Sequence, residues 1–145
     1  MSQENVEKLR RFYGLASSIY SGSHLPPELK DLVHPKLVVH EPDSLPYGGV
    51  FHGFEAFTKM LAKTIEFYEF ESLKPRAWIP HEDFVVVLND AKGKIKATNK
   101  AFEQLFIAIW RFEDGKVREG QITVFDSHAI MVAANLAGPS AKSDT

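Results

Sequence analysis

The stretch Phe102-Glu103-Gln104-Leu105-Phe106-Ile107-Ala108-Ile109-Trp110 decides how this chain is read. Aromatic and β-branched residues dominate it, as in a strand. Alternation sends Phe102, Gln104, Phe106, Ala108 and Trp110 to one face and Glu103, Leu105, Ile107, Ile109 and Arg111 to the other. Both faces are apolar at their centres, so the strand expects cover on both sides. Helices and a pocket cover one face. A second subunit is the simplest cover for the other, which predicts a homodimer packed sheet to sheet. Loops or the C-terminal helix are the alternative cover.

Working outward, Glu113-Asp114-Gly115-Lys116 carries hairpin chemistry, because Gly accepts positive φ. The long strand, from about Lys96 to Phe112, therefore turns into a last strand over Val117–Asp126. Asp126 is positioned to cap a short terminal helix over Ala129–Leu136. Glu119-Gly120 is a candidate bulge that would shift the last register by one. Upstream, Phe70–Pro80 and Phe84–Asn89 read as strands, with Asp90-Ala91-Lys92-Gly93-Lys94 as a hairpin tip. Phe54–Tyr68 has helical spacing, with Phe57, Met60, Leu61, Thr64, Ile65 and Tyr68 facing inward. Asp43–Gly53 reads as a loop and Leu37–Glu41 as a strand ended by Pro42. A short helix opens at Ser23-His24-Leu25-Pro26-Pro27, carries Leu29, Leu32 and Val33 inward and stops at Pro35. The first helix spans about Glu4–Tyr20, ended by Gly22, with Val6, Leu9, Tyr13, Ala16 and Tyr20 on its stripe. Helices first and a meander of long strands later describe an α+β domain whose sheet curls over the helices around a cavity. Residues 1–137 form one domain in this reading and 138–145 a flexible tail.

Composition narrows the function. The 145 residues are 44% hydrophobic and 25% charged, with a net charge of −2. That supports one core and gives no basic footprint for nucleic acid. The absence of cysteine excludes disulfides, thiol catalysis and zinc–thiolate sites. No apolar run is long enough for a membrane span, and the N-terminus lacks a signal-peptide core. The expected setting is cytoplasmic. His24, His34, His40, His52, His81 and His128 show no metal-ligand spacing, so no metal site is expected. Tyr47-Gly48-Gly49 lacks the Lys-Ser/Thr of a phosphate loop. It reads as a flap, with Tyr47 lining a cavity entrance.

The element order, together with Val39-His40-Glu41-Pro42, Leu45–Gly53 and Ile109–Val117 running on to Phe125-Asp126-Ser127, resembles the nuclear-transport-factor-2-like superfamily. That superfamily includes ketosteroid isomerase and polyketide-cyclase-like proteins. The likeness extends over roughly Val6 to Ile130. It implies a cone-shaped barrel with N-terminal helices packed on a curved, mainly antiparallel sheet, a pocket for an apolar small molecule, a dimer and no cofactor. It does not imply one function, since the scaffold hosts isomerases, cyclases, lyases, hydrolases and plain binding proteins.

The resemblance places Glu41 where ketosteroid-isomerase-like enzymes hold their general base, in a cavity that would raise its pKa by desolvation. The alternative is an exposed strand end. Tyr13, on the buried stripe of the first helix, matches the isomerase's tyrosine donor. The isomerase's second acidic donor falls on Ala108, which donates nothing. Gln104, on the same strand face, is a candidate donor to a ligand carbonyl or a residue bonded to its own scaffold. Trp78, Phe106 and Trp110 offer flat apolar walls, or simply core. Three readings stay open: a cofactor-independent isomerase, cyclase, lyase or hydrolase with Glu41 as base; a non-catalytic binding or accessory protein for an apolar ligand; and an interaction module using the sheet face.

Overall fold

The computed structural model describes residues 2–21 and 24–138. The elements run α1 (Ser2–Ala16), a 3-10 turn (Ser17–Ser21), α2 (Glu28–Asp31), β1 (Val33–Glu41), β2 (Gly49–His52), α3 (Phe54–Phe67), β3 (Tyr68–His81), β4 (Phe84–Ile95), β5 (Ala101–Glu113), β6 (Lys116–Val124) and α4 (Ser127–Ala133). The expected helix stop at Gly22, the start at Ser23 and residues 139–145 of the expected tail lie outside the described residues.

Val6, Leu9 and Phe12 form the buried stripe of α1. The helix tightens where Ser17 and Ser18 donate their hydroxyls to the Gly14 and Leu15 carbonyls. Such local bonds compete with the α-helical ladder, which is why the helix expected to run straight to Tyr20 ends in a 3-10 turn. In α3, Phe57, Met60, Leu61 and Thr64 face inward.

The strands form one sheet in the order β2-β1-β6-β5-β4-β3. All neighbours are antiparallel except β1 and β6. The sheet curves over the helices, but β2 and β3 remain its edges, so the expected barrel is an open one. Pro75 and Pro80 both sit in β3, where a missing N–H can face away from the sheet. Pro35, expected to stop a helix, lies inside β1 where the ladder to β6 is interrupted between Val33 and Val38.

Three local expectations change. Asp90–Lys94 is no hairpin: β4 continues to Ile95, with Ala91, Gly93 and Ile95 buried and Asp90, Lys92 and Lys94 exposed between them. Gly93 is required by a close approach, because a Cβ there would collide with the Glu69 carbonyl of β3. The turn falls instead at residues 96–100, with Asn99 at φ 62°. The loop expected over Asp43–Gly53 contains β2. The bulge in β6 sits at Arg118, between the pairs Arg111–Glu119 and Phe112–Val117, one residue before the place expected for it. Asp126 caps α4 as expected, its carboxylate accepting the Ala129 N–H at 3.0 Å.

The inward face of β5 is the one read from alternation: Phe102, Phe106, Ala108 and Trp110 are all buried. The core divides into two clusters. One gathers α1, α3 and the Trp110 end of the sheet. The other holds Leu45, Tyr47, Tyr68, Phe102, Phe106 and Ile130. Because Ile130 packs in that inner cluster, α4 does not cover the outer face. There Leu105, Ile107 and Ile109 are half-buried within the single chain.

Candidate functional site

A cavity of about 480 Å³ lies between the helices and the inner sheet face, where the two clusters fail to meet. Tyr13, Glu41, Trp78, Phe106 and Trp110, all singled out from the sequence, lie in its wall. Its exposed members, Arg10, Gly14, Ser17 and Pro75, all belong to α1, the 3-10 turn or β3. The cavity therefore opens between α1 and β3.

Tyr47 lines the cavity too, but not as an entrance flap. It is 3% exposed within the second cluster, and its hydroxyl meets that of Tyr68 at 2.7 Å. That bond pins the loop and makes Tyr47 a fixed wall. Gln104 does not reach the cavity. Its amide donates to the Asp126 carbonyl at 3.2 Å and accepts the Asp126 N–H at 3.0 Å, closing the start of α4. Both hydrogen-bonding ends of the amide are engaged by the scaffold, which leaves Gln104 without a free end for the ligand-donor role expected of it. Ala108 stands in the wall and offers no donor.

Glu41 is the last residue of β1, opposite Gly49 of β2. It is the one acid among the described residues of the wall, and no described residue gives it a hydrogen bond or ion pair. Desolvation by the apolar surroundings pushes its pKa from 4.5 up to about 8. Burial likewise raises the phenols of Tyr13, Tyr20, Tyr47 and Tyr68, and the charge of Glu41 raises all four further. Near neutral pH the interior is thus an uncharged set of O–H groups among aromatic rings. His40, its neighbour in β1, points the other way and meets Glu119 at 2.9 Å.

Tyr13 is held in a defined state. The Trp110 indole N–H reaches its hydroxyl oxygen at 2.9 Å. An indole nitrogen only donates, so the phenol oxygen accepts and keeps its own proton for another partner. Burial pushes the Tyr13 pKa up to about 12, with the Trp110 bond pulling the other way. Gly120 makes room for this arrangement: it pairs with Trp110 across the sheet, and a Cβ there would run into the indole ring.

Wall residues not picked out from sequence include Tyr20 and Asn89. Tyr20 joins the wall from the 3-10 turn. Asn89, only 5% exposed, donates to the Phe106 carbonyl at 3.2 Å while its side-chain oxygen has no partner. Its signal was available: Asn89 is the one polar residue in the buried row Val85, Val87, Asn89, Ala91 of β4.

Outside the cavity, His34, Glu113 and Asp114 bring three candidate ligand atoms within 4.8 Å of one another. The His34 Nδ1 accepts the Lys36 N–H at 3.0 Å, which leaves the proton of the neutral ring on Nε2, facing Glu113. The His34 Nε2 lies 3.3 Å from Glu113 and 3.6 Å from Asp114. His52 is exposed and absent from the cavity wall, and His81 pairs with Glu82 on the surface.

An open, curved sheet with helices closing a small-molecule-sized cavity defines a cone-shaped class of pocket protein. A family model described as a SnoaL-like domain matches residues 9–120. The chain belongs to this SnoaL-like family. Among solved structures it is similar to an NTF2-like protein from Burkholderia xenovorans LB400, with 24% identity, a TM-score of 0.79 and coverage of 93% of this chain and 98% of that one. It is similar to TerC co-crystallised with polyporic acid, at 20% identity, TM-score 0.74 and coverage of 91% and 98%. A third is a protein of ketosteroid isomerase-like fold from Catenulispora acidiphila DSM 44928 in complex with trimethylamine, at 14% identity, TM-score 0.67 and coverage of 87% and 93%. At these identities the likeness shows the fold. A search among curated proteins finds no match. No helix among the described residues is long and apolar enough to cross a membrane.

Proposed function

We propose that the cavity is a cofactor-independent acid–base site for an apolar, oxygenated small molecule, with Glu41 as general base and Tyr13 as hydrogen-bond donor. The observation that carries this reading is the Glu41 carboxyl, without a partner among the described residues, in an aromatic cavity shared with a Tyr13 proton that Trp110 leaves free. A base with a pKa of about 8 is matched to proton abstraction near neutral pH. The carboxylate takes a proton from a carbon next to a carbonyl. The electron pair moves onto the carbonyl oxygen, where Tyr13 donates to the developing enolate. Where the carbonyl is conjugated to or next to a C=C bond, Glu41 returns the proton to the far carbon of the dienolate and gives an isomer. Attack of the enolate carbon on a second carbonyl closes a ring, and the new alkoxide takes the proton back from Glu41. Both polyporic acid and trimethylamine, held by structures of this fold, are small molecules, in keeping with an occupied cavity.

Ala108 favours a second reading, a binding protein whose ligand leaves unchanged, because it withholds the second donor an enolate would want. Deuterium exchange separates the two. In D2O, the wild type should exchange the α-protons of a bound aryl ketone, and Glu41→Gln should slow this by roughly 100-fold or more. The wild-type rate should rise with pH up to about 8, because the base works as a carboxylate. Equal exchange by the two proteins removes Glu41 as base; binding with no exchange by the wild type leaves the binding reading.

The half-buried Leu105, Ile107 and Ile109 support a homodimer formed through the outer sheet face.

A further inference from the structure

The cavity wall is electrically lopsided. Its described members include one acid, Glu41, and one base, Arg10 at the mouth. The Arg10 guanidinium carbon lies 4.8 Å from the Trp78 ring centre, stacked over a residue that is itself cavity wall. Attraction of the cation to the ring face holds the guanidinium in place, and its forked N–H donors suit a planar oxyanion. The nearest acid, Glu7, stands one helical turn back and 3.9 Å from Nε, and both side chains are at least half exposed. An exposed pair at that distance contributes little. No described residue engages the two terminal nitrogens. The mouth thus presents a positioned fork, suited to a planar oxyanion, at the end of an apolar channel.

We propose that Arg10 is a specificity-determining residue: it binds the carboxylate of a ligand whose apolar body fills the cavity. This deepens the acid–base reading, and rests on it, by naming the substrate class as an apolar or aromatic carbonyl compound carrying a carboxylate at its outer end. The Arg10 carboxylate contact then fixes how deep the reacting carbon lies relative to Glu41.

Both tryptophans of the chain, Trp78 and Trp110, line the cavity, so intrinsic fluorescence reports its occupancy. The probes are phenylbutyrate and its neutral amide, phenylbutyramide, titrated into the wild type and Arg10→Met. Met keeps an apolar stem over Trp78 and removes the charge. The wild type should bind the carboxylate roughly two- to fivefold more tightly than the amide, the upper part of the range for an exposed ion pair. Added salt should erode that preference, and Arg10→Met should abolish it. An unchanged preference in Arg10→Met overturns the role of Arg10 and leaves the pocket reading intact. So does tighter binding of phenylbutylamine than of phenylbutyrate, which would make Glu41 the ligand's charge partner. Failure of every probe to alter tryptophan emission overturns the pocket reading and this inference with it.

Discussion

Glu41→Gln should make the protein more stable, by an amount that grows with pH. The substitution preserves shape and removes the group that titrates. Glu41 has a folded pKa of about 8 against a reference of 4.5. Between those values the folded chain keeps a proton that the unfolded chain has released, so stability falls as pH rises and levels off above 8. Each pH unit between the two values corresponds to about 1.4 kcal/mol, which gives about 5 kcal/mol for the whole interval. From pH 5 to pH 9 the loss is roughly 4 kcal/mol by the same linkage. Water entering between α1 and β3 would screen the carboxylate, so this is an upper bound, and growth of at least about 2 kcal/mol is expected. Urea unfolding of wild type and Glu41→Gln at pH 5, 6, 7, 8 and 9 measures it. The two proteins should be closest at pH 5 and furthest apart at pH 9, with a Tm gap widening by on the order of 10 °C if the full effect is realised. Other groups cancel in the comparison, including Glu119, whose pKa its His40 hydrogen bond lowers. Parallel stability curves would refute the placement of an unpartnered Glu41 in a desolvated cavity, and the base assignment would go with it.

Gly120→Ala should force the Trp110 indole away from the sheet, break its bond to Tyr13 and cost about 1–3 kcal/mol, as overpacked cores do. Its signature beyond lost stability is a shifted tryptophan emission maximum; an unshifted spectrum would mean the indole had room to spare. Ile107→Lys places a charge at the centre of the outer face and should convert a dimer into a monomer with little loss of fold. Sedimentation velocity checks this, and a wild type that is monomeric at high micromolar concentration would dispose of the dimer.

What can be read from the sequence follows from periodicity. The faces of β5 and the stripe of α3 are legible because one period governs each and no special backbone interrupts it. Reading fails where a glycine is taken as punctuation. In Asp90-Ala91-Lys92-Gly93-Lys94 the charged residues suggest a turn, yet the alternation with Ala91 and Ile95 is already that of a strand. Gly93 serves a close approach by β3, a contact distant in sequence and invisible to local patterning. The same limit applies to the site. Glu41, Tyr13, Trp78 and Trp110 can be named because a resemblance and a face assignment place them. Gln104 cannot be judged from sequence, since its partner is the backbone of Asp126 across the sheet. Asn89 escapes notice because a strand ended at the charged residues stops on it.

The features that define the site are the ones that weaken the fold, and they lie together. A cavity of about 480 Å³ forgoes packing that larger side chains at Ala108 or Thr64 could supply. Glu41 carries an unpaired acid into apolar surroundings, and Asn89 leaves a buried amide oxygen without a partner, each at a cost of about 1–3 kcal/mol or more. Meanwhile the bonds that could have been left loose are firmly made: Trp110 to Tyr13, Tyr47 to Tyr68, Asn89 to Phe106. Among the described residues the void is braced by hydrogen bonds while its one acid has no partner, an arrangement in keeping with an occupant. If so, ligand binding should recover part of the lost stability, and a ligand that pairs with Arg10 at the mouth should recover more than its neutral counterpart in the wild type, and no more in Arg10→Met. Thermal shifts for phenylbutyrate and phenylbutyramide give that comparison directly, and equal shifts in the wild type would remove the mouth from the account while leaving the cavity in it.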